Sequence, residues 1–257
     1  MCPICLKFDN LPLIEAAVRC TFDPPIPLSF GLVNRLHTEI KGDFKEISEP
    51  RQFEVPPGLA HHEIAIGPST LPGVVYEGNA VGLELSLQER VLVVRWLRKV
   101  GDDVPAYPRF PELRRWLWRV RDLLRNAAQK ADTAVVNLAY TNFIEPTKAE
   151  AVLTEYFEPE FHVGILQGNQ GLHKVELSWR VEEEVDLRFR LESGTVAVSD
   201  ASKSTGFLLT TVAGTRVGER SDEACLDLVH DRLQVFFRGA ISDKAKREWG
   251  LRMESTA

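Results

Sequence analysis

The chain has 257 residues, a formal net charge of −6 and a sequence pI near 5.6. Apolar residues make up 44% and charged residues 26%, a globular balance that excludes wholesale disorder. No apolar run is long enough to cross a bilayer as a helix. The acidic balance works against duplex nucleic acid unless basic residues gather on one face.

The start, Met1-Cys2-Pro3-Ile4-Cys5, lacks the basic and then long apolar regions of a leader. The expected compartment is therefore the cytoplasm, with the four cysteines held as thiols. Leu13 to Phe22 alternates: Ile14, Ala16, Val18, Cys20 and Phe22 share one side, and Glu15, Arg19 and Thr21 the other. That pattern predicts a half-buried strand, stopped by Asp23-Pro24-Pro25. From Leu28, the apolar residues Leu32, Val33, Leu36 and Ile40 recur at helical spacing, and Gly42 ends the helix.

Phe44 to Val55 reads as a weaker strand, and Pro56 to Pro72, with its four prolines, as a loop. Val74–Tyr76 and Val81–Leu87 flank Gly78-Asn79, a candidate hairpin turn, and Val91 to Leu97 is a further strand. After Pro105, Pro108 and Pro111 comes a helix over 112–130. Its stripe is Leu113, Trp116, Leu117, Val120, Leu123, Leu124 and Ala127.

The pattern then restarts. Val136, Leu138, Tyr140 and Ile144 alternate as the first strand does, and Phe22-Asp23-Pro24 finds an echo in Ile144-Glu145-Pro146. A short helix is expected from Thr147. Strands are expected over Phe161–Leu166, Val175–Val181, Val185–Leu191, Val196–Val198 and Phe207–Val212. A last helix has the stripe Leu226, Val229, Leu233, Phe236, Phe237 and Ala240. The expected class is α+β: two similar β-α-β(4)-α halves, with mainly antiparallel sheets and helices packed on one face. The expected organisation is a tip over 1–10, halves over 11–131 and 132–250, and a tail over 251–257. The element order is similar to that of the TATA-binding-protein-like fold, an analogy that carries no function with it.

Three short motifs bear on family. Pro12-Leu13-Ile14-Glu15-Ala16 opens the first strand, Tyr140-Thr141-Asn142-Phe143-Ile144 ends the mid-chain strand, and the last helix leads through Ile241 and Ser242 to Trp249-Gly250. On these residues, from about Leu11 to Gly250, the chain resembles a sporadically distributed bacterial family of similar length and uncharacterised function. The resemblance implies a bacterial cytoplasmic protein, and scattered families of this kind are expected in defence or toxin–antitoxin loci. It supplies no active site, and Cys2-x-x-Cys5 is not part of its pattern.

Several constellations could carry chemistry. Cys2 and Cys5 have zinc-knuckle spacing, but they are half of a four-ligand site, and Cys20 and Cys225 stand singly. His61-His62-Glu63 lies in the proline-rich loop, where adjacent side chains diverge. Glu182-Glu183-Glu184 reads as a polar hairpin tip. His230, between Asp227 and Asp231, reads as a member of surface pairs. Asp186, Arg188, Arg190 and Glu192 alternate in sign along one strand and suit cross-strand ion pairs rather than a uniformly basic nucleic-acid saddle. Walker A, Rossmann and nucleophile-elbow patterns are absent.

The remaining feature is Trp118. Helical geometry puts it opposite the apolar stripe, beside Arg114, Arg121 and Arg125. That composition suits a binding hot spot or an internal interface. The expectation is a non-enzymatic binding protein, without cofactor, membrane or metal. It would act on another protein encoded nearby through Arg114, Trp118, Arg121 and Arg125, with a homodimer as a further option. The alternatives are nucleic-acid binding by the sheet or the arginine helix, and an enzyme with a cleft between the halves.

Overall fold

The computed structural model describes residues 6–8, 12–46, 73–98, 107–128, 132–144, 149–162, 174–181, 184–199 and 202–253. Its first elements are β1 (Leu6–Phe8), β2 (Leu13–Phe22), α1 (Phe30–Ile40), β3 (Phe44–Glu46), β4 (Val74–Gly78), β5 (Leu83–Gln88), β6 (Val91–Leu97) and α2 (Phe110–Ala128). Then come β7 (Thr133–Ile144), α3 (Ala149–Tyr156), β8 (Lys174–Val181), β9 (Val185–Ser199), β10 (Ser202–Arg216), α4 (Asp222–Ala240), α5 (Asp243–Glu248) and β11 (Leu251–Met253).

The alternating segments build one antiparallel sheet in the order β3-β4-β5-β6-β2-β7-β10-β9-β8. The two strands that open the expected halves, β2 and β7, meet in the middle, with Val18 opposite Leu138 and Ala17 opposite Ala139. Outward from β2 lie β6, β5, β4 and β3, and outward from β7 lie β10, β9 and β8. The ends of the chain meet separately, where β1 pairs antiparallel with β11.

Period-two alternation gives each strand one apolar side, and all five described helices bury their stripes against that side. Ser29 caps α1 by accepting from the Leu32 amide at 3.2 Å, and Ser221 caps α4 by accepting from Ala224 at 3.2 Å. Under α1, α2 and α4, residues Ala16, Val18, Cys20 and Phe22 pack with Leu117, Leu124, Leu226 and Leu233. A second cluster under α3, α4 and α5 is aromatic. Phe157 stands edge-on to Phe189 at 5.1 Å, and Phe237 and Trp249 are stacked. Burial of each such large side chain contributes about 1.5–3 kcal/mol.

The sheet departs from the expected pattern in places. The β4–β5 turn runs from Asn79 to Gly82, two residues beyond the expected Gly78-Asn79, and Gly78 stays in β4. Gly82, at φ 82°, takes the left-handed position, and a Cβ there would sit 2.1 Å from the Leu97 carbonyl. Phe161 belongs to a single 3-10 turn, Pro159–Phe161, rather than to a strand. Val196–Val198 is the far end of β9 and not a separate strand, because β9 and β10 stay paired beyond Gly194 and Gly206. The expected loop over 56–72 and most of the expected 44–55 strand lie outside the described residues.

Candidate functional site: the face of the sheet opposite the helices

The arginine–tryptophan face of α2 is not an outer surface. Trp118 is 8% exposed and belongs to the main core. Beside it runs α4, antiparallel, and the four residues singled out by sequence meet that helix. Arg114 pairs with Asp227 at 2.8 Å, Arg121 with Asp222 at 2.8 Å and Glu223 at 2.5 Å, and Arg125 with Asp222 at 2.8 Å. The Arg121 guanidinium covers the Trp118 ring at 4.3 Å from its centroid. Asp222, buried in the first turn of α4, also accepts from Thr133 at 2.8 Å. The expectation of an outward hot spot is therefore corrected: these residues join α2 to α4 inside the chain.

His230 continues the same seam. Its ring stacks on Phe110 with centroids 3.9 Å apart and planes 7° from parallel, so it is not a surface residue. Burial lowers its pKa to about 4, against the opposing pull of Asp227, and the Gln234 amide donates to its Nε2 at 2.6 Å. Because the folded imidazole resists protonation, the unfolded chain takes up the proton first as pH falls below about 6.5. The contribution of His230 to stability should therefore decline from there toward pH 4. An NMR titration of the imidazole should show no charging above pH 5; a midpoint near 6.5 would contradict the burial.

Other sequence candidates disperse. Glu184 pairs with Arg220 at 2.5 Å. Cys20 is fully buried, and burial pushes its thiol up to about 12, which leaves it inert. Cys2, Cys5, His61, His62, Glu63, Glu182 and Glu183 lie outside the described residues. No described group of three or more His, Cys, Asp or Glu is placed to hold a metal ion, and no described helix is long and apolar enough to cross a membrane.

No described helix packs on the second face of the sheet, yet the centre of that face is buried and only its margins are exposed. Strand register sets its side chains in rows. One row runs Ser86–Val93–Arg19–Asn137–Gly214–Asp186–Arg180, and the next runs Glu84–Arg95–Ala17–Ala139–Val212–Arg188–Ser178. The centre is small and tightly packed: Ala17, Val91, Val93, Ala139 and Val212 form a cluster of their own. Around them Arg19, Ser86, Asn137, Thr141 and Thr210 are buried.

Charge on this face is mixed and largely paired. Arg95 bridges Glu84 at 2.8 Å and Glu15 at 3.8 Å, Arg190 pairs with Glu192, and Arg180 lies 3.6 Å from Asp186. Glu77 and Glu176 also have partners. Burial raises the Glu15 pKa, opposed by Arg95. Two arginines differ from the rest: among the described residues no carboxylate lies within ion-pair distance of Arg188 or Arg216. Sequence singled out Arg188 as one of an alternating set, whereas Arg216 and Asn137 carried no signal. No family model, curated protein or solved structure matches this chain.

Proposed function

We propose that the protein is a binding protein that engages another protein through the sheet face opposite its helices. The observation that carries this reading is the architecture of the sheet. Nine antiparallel strands have one side filled by five helices, and the other side, among the described residues, has a buried centre of small apolar and polar side chains with ion-paired and exposed charged side chains toward its margins. At the usual strand spacing of about 4.8 Å, such a platform is about 40 Å wide, the scale of a macromolecular contact rather than of a small ligand. Its balanced charge supports a protein partner over a nucleic acid, which calls for a predominantly basic surface. The family resemblance adds the expectation that the partner is encoded nearby.

The test is co-purification from the native cell with paired variants. Ser178→Trp places a bulky group on this face at an exposed edge position, and Phe30→Asp alters the most exposed large apolar side chain on the helix layer. A stoichiometric partner should be recovered with the wild type and with Phe30→Asp, and should fall at least tenfold with Ser178→Trp. Recovery that is unaffected by Ser178→Trp, or no stoichiometric partner at all, would sink the proposal.

A further inference from the structure

On the same face, Gly214 leaves a gap in the pattern of side chains. It stands on β10 between Val212 and Arg216, with Asn137 opposite on β7 and Asp186 opposite on β9. A Cβ at Gly214 would meet Asn137 Oδ1 at 2.1 Å, so the Asn137 amide lies over the glycine. Asn137 is 4% exposed, and among the described residues its Nδ2 has no hydrogen-bond partner. A buried donor without an acceptor is destabilising, so it needs an explanation.

The rim supplies one. Arg216 lies two residues from Gly214 on the same side of β10. Arg188 lies opposite Val212 on β9, one diagonal step from the glycine. Arg188 is half-buried and Arg216 exposed, and neither has a carboxylate partner among the described residues. Asp186, on the same rim, is already taken by Arg180 at 3.6 Å. Of the polar groups on this face, Arg188 and Arg216 lack a carboxylate among the described residues, and Asn137 Nδ2, like Arg19 Nε, Arg190 Nε and Glu15 Oε1, is buried without a hydrogen-bond partner there.

The geometry points to an anchor for a carboxylate: an aspartate or glutamate of an acidic partner segment, held by Arg188 and Arg216 and accepting from Asn137 Nδ2. Guanidinium forks match a carboxylate in a bidentate way, and charge-assisted bonds of this kind fix position as well as affinity. The inference rests on the reading of this face as a protein-binding surface and names the chemistry of the partner. A partner lost with Ser178→Trp but kept when both arginines are neutralised would defeat the anchor and leave that reading standing.

The direct experiment is fluorescence anisotropy at low ionic strength on the full chain, with a labelled ten-residue polyglutamate as probe. Ten-residue polyglutamine and a ten-nucleotide oligothymidylate serve as comparison arms. Polyglutamate should bind, polyglutamine should not, and the double variant Arg188→Gln, Arg216→Gln should weaken polyglutamate at least tenfold. Asn137→Ala should weaken it as well. Unfolding midpoints of the arginine variants should match the wild type, since neither guanidinium has an ion-pair partner among the described residues. Absence of polyglutamate binding, equal binding by the double variant, or tighter binding of the oligothymidylate would each overturn the proposal.

Discussion

Replacing Trp118 by alanine should lower the unfolding free energy by about 3–5 kcal/mol, measured by chemical denaturation. The ring is 8% exposed in the main core, and the Arg121 guanidinium lies on it 4.3 Å from the centroid. Two losses combine. A large apolar volume is emptied between α2 and α4, and the buried charge loses the π face that lies under it. Trp118→Phe should recover most of the loss, because a ring remains beneath the arginine. An exposed hot-spot tryptophan behaves in the opposite way: its removal spares stability and abolishes binding. A loss under 1 kcal/mol for Trp118→Ala would therefore contradict the interior placement.

The same residue shows where sequence stops being informative. On α2 the stripe from Leu113 to Ala127 is complete without Trp118, which is why periodicity sends the tryptophan outward. But α2 has two buried faces, one on the sheet and one on α4. Complementary signals were present: Arg114, Trp118, Arg121 and Arg125 recur at helical spacing, and so do Asp222, Glu223, Asp227 and His230 on α4. What the sequence does not encode locally is that these two stripes face each other, with Phe110 opposite His230 and Arg125 opposite Asp222. A basic stripe on one helix matched by an acidic stripe on another is the usable clue, at the level of the pair rather than of the helix.

The sheet divides in the same way. Alternation located β2, β6, β7 and β8 closely, and their helix-facing side was legible from apolar spacing except at the start of β2, where a register shift puts Leu13 rather than Ile14 in the core. The opposite face was legible in composition but not in register. Asp186, Arg188, Arg190 and Glu192 were expected to form ion pairs, and Asp186, Arg190 and Glu192 do. Arg188 does not, because register sets Val212 on one side of it and Ser178 on the other. Nor could spacing show Gly214 under Asn137, since those residues are brought together only by the β7–β10 pairing. Local pattern reports which side a residue faces, whereas long-range pairing decides whom it meets.

Asp222→Ala should cost about 3 kcal/mol, at the low end of the range for breaking a buried ion pair. The carboxylate is 5% exposed and serves three donors, Arg121, Arg125 and Thr133. It also stands in the first turn of α4, where a negative charge favours the helix. The effect is held below the upper end of that range because Arg121 keeps Asp122 at 2.7 Å and Glu223 at 2.5 Å. Glu223→Gln, at a more exposed member of the network, should cost less than 1 kcal/mol. Burial alone would raise the Asp222 pKa, but the Thr133 hydroxyl and the two guanidinium groups outweigh it and hold the carboxyl below its ordinary value. A depressed folded pKa means that this stabilisation is fully present above the ordinary carboxylate range, near pH 4, and is lost as pH falls through the lower folded value. The difference in stability between wild type and Asp222→Ala should therefore be constant from pH 5 to 8 and shrink below pH 4. A difference that persists unchanged to pH 2, or a neutral-pH loss under 1 kcal/mol, would show that the α2–α4 seam is held by apolar packing alone.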